Sequence, residues 1–65
     1  MSAAGDLPAI AKPAQWALAS QGIRTLADAA ERTEQELLSL HGVGPKAVRL
    51  IAEALHASGR AFRAV

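Results

Sequence analysis

A chain of 65 residues with a net charge of +1 holds one domain at most, and so small a core leaves no room for an enclosed catalytic cleft, so an enzyme is not expected. There is no cysteine, which excludes a disulfide framework and a thiolate metal site and fits a reducing interior; neither a metal nor any other cofactor is expected. The opening Met1–Asp6 lacks a basic stretch followed by a long apolar one, and no segment approaches the run of about 20 apolar residues that a membrane span needs. The expectation is a soluble, cytoplasmic protein without membrane contact.

Residues 1–6 read as a flexible leader and residues 7–65 as a single domain. Ala and Leu dominate the apolar residues, and the only aromatics are Trp16 and Phe62, a composition that favours helices over strands. The first predicted helix opens at Pro13, because proline suits a first helical position, and stops at Gly22, which suits a left-handed cap. Thr25 followed by Asp28, and Thr33 followed by Glu36, carry the spacing of a capping box; they place short helices over Leu26 to Glu31 and around Leu37 to Leu40. Gly42 and Gly44 end the third helix in a tight connection. The fourth opens at Pro45 and carries Val48, Ile51, Ala52 and Leu55 at spacings of three and four, until Gly59 stops it. Arg60 to Val65 form a tail whose Phe62 is expected to fold back on the core. The expected fold class is all-α, a compact bundle of four to five helices.

Charge is unevenly distributed along this plan. Through Leu40, three basic residues against five acidic ones leave −2, whereas from His41 onward four basic residues against Glu53 alone give +3. A polyanion would be drawn to the C-terminal third. Leading into that third, Leu37-Leu38-Ser39-Leu40-His41-Gly42-Val43-Gly44-Pro45-Lys46-Ala47-Val48-Arg49-Leu50-Ile51 closely resembles the helix-hairpin-helix motif of the SAM-like helical fold, with Leu40, Gly42, Val43, Gly44, Pro45, Lys46 and Ile51 at that motif's positions. The physics of such a segment is simple. Gly42 and Gly44 allow positive φ and let a phosphate approach bare backbone N–H groups, and Val43 anchors the turn from inside. The start of the fourth helix adds unpaired N–H groups and the positive end of its dipole. Lys46 supplies a full charge, Arg49 extends the basic strip along the same side, and His41 is either a phosphate contact from the loop or a solvated hairpin residue. Nothing in the segment reads base edges, so the expected mode is contact with the backbone of nucleic acid, double-stranded DNA first of all, without strong sequence preference. The same residues also suffice for a plain tight turn between two helices.

Displacing the chain by 33 positions aligns Leu7 to Ala14 with Leu40 to Ala47, with Ala9 and Ala11 where the glycines stand. This is either a degraded half-motif or chance recurrence in an alanine-rich chain. From Leu7 to about Phe62 the order of elements is also similar to the C-terminal domain of the bacterial RNA polymerase alpha subunit. That resemblance implies DNA contact by the start of the first helix and by the hairpin, with Gly44, Lys46 and Ala47 on the hairpin's contact positions and a cytoplasmic, bacterial setting. Ala47 replaces a hydroxyl residue, and Pro13 and Trp16 stand where that family has Arg and Asn, so the resemblance implies the fold and the hairpin rather than sequence reading in the minor groove.

Trp16 lies two positions from both Ala14 and Leu18, off the apolar face they define. It is a candidate to wedge against sugar or base, to anchor a protein partner, or to lie over the leader. Lys12 is a candidate phosphate contact. His41 and His56 lack the companions of a metal site, and Asp28, Glu31, Glu34 and Glu36 fit capping and solvation rather than catalysis. The rival expectation is a protein-interaction or self-association module that keeps the hairpin as scaffold and presents Trp16.

Overall fold

The computed structural model describes residues 6–64, and Met1 to Gly5 of the expected leader lie outside the described residues, as does Val65. Among the described residues four helices follow one another: α1 (Lys12–Ser20), α2 (Leu26–Ala30), α3 (Glu34–Leu38) and α4 (Pro45–Ala57). No strand occurs among the described residues. Both α2 and α3 pack on α4, and the Cα radius of gyration of 10.5 Å matches the roughly 10–11 Å expected for a domain of this length.

The helices begin and end where local chemistry dictates. Thr25 accepts the Asp28 N–H while the Asp28 carboxylate accepts the Thr25 N–H, and Thr33 and Glu36 repeat that exchange, so α2 and α3 each start with a complete capping box. At the end of α1 the chain reverses through Gly22 at φ 76°, with the Gly22 N–H donating to Ala19 and the Ile23 N–H to Leu18, the two bonds of a Schellman motif. Gly59 and Arg60 close α4 in the same way, on His56 and Leu55. This second closure turns the tail back, and Phe62 packs against the core as expected.

The core is wholly apolar. Leu18, Ile23, Leu37, Val48, Ile51 and Leu55 are its largest fully buried side chains, and among the described residues no polar or charged residue is buried with them. Each contributes on the order of 1.5–3 kcal/mol by burial, and the capping boxes act as further terms of about 1 kcal/mol each. Within the expected stripe of α4, Ala47 takes the inward place expected of Ala52, which stays half-exposed.

Asp6 departs from its expected place in the leader. Its carboxylate accepts the Leu26 N–H at 2.7 Å, tying the chain upstream of α1 to the first residue of α2. The α2 N-terminus is thus held from two sides, by Asp6 and by Asp28.

Candidate nucleic-acid interface

The hairpin between α3 and α4 is built around one inward side chain. Val43 is buried, and its N–H donates to the Leu40 carbonyl at 3.1 Å, closing a four-residue turn whose third residue, Gly42, has φ 93°. A Cβ on Gly42 would lie 3.0 Å from the Pro13 carbonyl oxygen, so the turn rests on the first turn of α1 by backbone contact that only glycine permits. Gly44 differs from expectation: its φ is −100° with ψ 177°, ordinary extended backbone, and its role is to serve as the N-cap of α4 with nothing within 4 Å of where a Cβ would stand.

The consequence is an open helix start. Pro45 has no N–H, and the helical bonding of α4 begins with Val48 donating to Gly44. Among the described residues no acceptor pairs with the N–H of Lys46 or Ala47, and no side chain caps the helix. Lys46 is exposed and forms no ion pair among the described residues.

Two expected contact residues are placed otherwise. Val43 offers neither side chain nor amide, because the first is buried and the second is bonded to Leu40. Ala47 is 8% exposed with its methyl in the core, which leaves its backbone N–H as the one group it can present. Arg49 is on the solvent face with Lys46 but leans on Glu53, 3.5 Å away in an exposed pair one turn on. His41 and Gly42 are exposed.

On the opposite side of the Gly42 contact stands the start of α1, which begins at Lys12, one residue earlier than expected. Its N-cap is Ala11, so α1 also lacks a side-chain cap, and Lys12 is exposed in its first turn. The N-caps Ala11 and Gly44 are the same 33 positions apart as the repeat in the sequence. A shallow groove runs between the two helix starts, with Ile10, Ala11 and Ala14 on one wall and Gly42, Gly44 and Lys46 on the other. The contribution of Ala11 was missed from sequence because alanine carries no chemistry of its own; the repeat offset was the available signal.

Charge separates these two helix starts from the other two. The first turns of α2 and α3 carry Asp28, Glu34 and Glu36, as the positive end of a helix dipole favours. Those of α1 and α4 carry no acid and one lysine each, Lys12 and Lys46. A cation at a helix N-terminus opposes the dipole, so in isolation the arrangement costs a few tenths of a kcal/mol or more at each end.

Trp16 is 68% exposed, on the face of α1 opposite Ala14 and Leu18 as its spacing predicts. Among the described residues no three His, Asp or Glu side chains converge on a possible metal site, and no described helix is long and apolar enough to cross a membrane.

Residues 17–57, well over half of the chain, match the family profile described as a SAM-like helix-hairpin-helix tandem, and the chain belongs to that family. Searches of curated proteins and of solved structures returned no match.

Proposed function

We propose that this member of the SAM-like helix-hairpin-helix tandem family is a binding module without catalytic machinery, which holds the phosphate backbone of double-stranded DNA at the hairpin and the N-terminus of α4 with little sequence preference. The observation that carries the proposal is the inverted charge of two helix starts. Where α2 and α3 are capped and acidic, α1 and α4 are uncapped, carry Lys12 and Lys46, and face a common groove. Free N–H groups, a dipole end and an unpaired ammonium together suit a phosphate.

The element order shared with the C-terminal domain of the bacterial RNA polymerase alpha subunit belongs to the same proposal, as does a bacterial cytoplasmic setting. Only about two to four charges engage the strand, so the slope of log K against log salt is about −2 to −4 and affinity is modest. Useful occupancy then calls for a second module, a dimer or a larger assembly.

An amide-shift titration with a short DNA duplex at two salt concentrations tests this. Shifts centred on residues 42 to 49, with a second set at 11 to 14, that fade as salt rises are the expected result. A response confined to the surroundings of Trp16, elicited by a protein and not by DNA, would overturn it in favour of an interaction module.

A further inference from the structure

Trp16 has no structural employment. Its indole is 68% exposed on a helix whose opposite face already supplies Ala14 and Leu18 to the core, and the partly buried residues that pack on that core do not include it. A large apolar ring left in water gains by being covered, and the neighbourhood says by what. On the helical wheel Trp16 falls between Lys12 and Pro13, about 40° from the first and about 60° from the second, one turn further from the α1 start. Pro13 is the residue on which Gly42 of the hairpin rests. Trp16 therefore stands about 5 Å further along the α1 axis than Pro13, the residue at which the two helix starts meet. Lys12 stands one turn before it on the same face, and Lys46 lines the groove that the α1 start shares with the hairpin.

We propose that Trp16 is a stacking platform for one unpaired nucleobase of the strand whose phosphates are held between Lys12 and Lys46. An aromatic face flanked by cations suits a base joined to its own phosphate, because the ring takes the apolar π-face while the ammonium groups take the charge. A paired base inside a duplex has both faces covered by its neighbours, so the preferred ligand is a duplex next to unpaired nucleotides: an end with an overhang, a gap or a flap. This inference rests on the backbone-binding proposal and refines its ligand.

Trp16 is the only tryptophan of the chain, so its emission reports on it alone. The experiment compares a blunt DNA duplex with the same duplex carrying an overhang of about four thymidines, following binding by anisotropy of a label on the DNA and stacking by indole emission. The overhang is expected to tighten binding roughly 5- to 100-fold and to quench Trp16, while the blunt duplex binds without quenching. Trp16→Ala, a change at an exposed position that leaves the melting temperature nearly unaltered, removes the gain from the overhang and leaves blunt-duplex binding in place. Trp16→Phe retains part of the gain. Equal affinity for the two DNAs, or overhang binding with unchanged emission, overturns the stacking proposal while the backbone reading stands. Absence of binding to either DNA at low salt overturns both.

Discussion

Gly42 and Pro13 meet backbone to backbone: a Cβ on Gly42 would sit 3.0 Å from the Pro13 carbonyl oxygen, with φ at Gly42 already at 93°. This contact joins the two halves of the site, since Pro13 belongs to the start of α1 and Gly42 to the turn that launches α4. Gly42→Ala asks an L-residue to adopt left-handed backbone, at about 1–2 kcal/mol, and also asks a backbone oxygen to move. The expected loss is about 2 kcal/mol or more, a drop in melting temperature on the order of 10 °C for a domain of this size, measurable by circular dichroism. Gly22→Ala, where φ is 76° but nothing lies within 4 Å, incurs only the backbone part and loses less. Equal losses at the two positions would show that the Pro13 contact does not constrain the turn.

The cations of α4 are not equivalent. Lys46 has no carboxylate partner among the described residues, whereas Arg49 shares its charge with Glu53 at 3.5 Å. Lys46→Ala is expected to weaken DNA binding across sequences and to reduce the salt slope by about one, the signature of one lost phosphate contact. Arg49→Ala does less. Glu53→Gln frees Arg49 and removes a repelling charge, so affinity rises a few-fold while stability changes by no more than about 0.5 kcal/mol, as is usual for exposed pairs. Fluorescence anisotropy over a salt series reads all three.

Asp28 links stability to pH. Its carboxyl is held below the ordinary value of 3.8, chiefly by the hydrogen bond it accepts from the Arg24 N–H, with further bonds from the Thr25 hydroxyl and N–H acting in the same direction. A carboxyl whose folded pKa lies below its unfolded value binds its proton more readily in the unfolded chain. The stabilisation is therefore fully present above the unfolded value and is lost as pH falls through the lowered folded one. Thermal melts from neutral pH downward should show the melting temperature falling below about pH 4, and Asp28→Asn, which cannot ionise, should lack that component. A variant whose pH profile matches that of the parent in shape would show that other carboxyls carry the acid sensitivity.

Most of the fold was legible because its punctuation is local. Thr25 with Asp28, Thr33 with Glu36, and Gly22 and Gly59 act within a few residues, so their spacing alone announced the helix starts and stops. Contacts over long sequence distance were not legible. Asp6 reaches Leu26 across 20 positions, and nothing in an aspartate near the start of a chain distinguishes a tether from a solvated charge. The site divided along the same line. The exposure of Lys46, the open α4 start and the exposure of Trp16 followed from motif and helical angle. The inward aim of Ala47 and the extended backbone of Gly44 depend on how α4 settles against α2 and α3. The internal bond of the Val43 amide depends on how tightly the turn closes.

If the vacant N-cap of α4 exists for a phosphate, filling it from within should separate stability from binding. Gly44 has the extended dihedrals of an N-cap and open space where a side chain would go, so aspartate can enter without strain. The carboxylate of Gly44→Asp would accept an N–H of the first turn, oppose the Lys46 charge and complement the dipole. The expected gain is about 0.5–1 kcal/mol in stability, a melting temperature higher by several degrees. The same carboxylate occupies the phosphate's donors and repels it, so DNA affinity should fall at least tenfold. Gly44→Ala separates the two effects: it lacks an acceptor, costs a few tenths of a kcal/mol as a poorer cap, and leaves the N–H groups open with affinity nearly intact. A Gly44→Asp protein that melts higher and binds DNA as tightly as its parent would show that the α4 start is not the phosphate seat, because one set of amides cannot serve an internal carboxylate and an external phosphate at once.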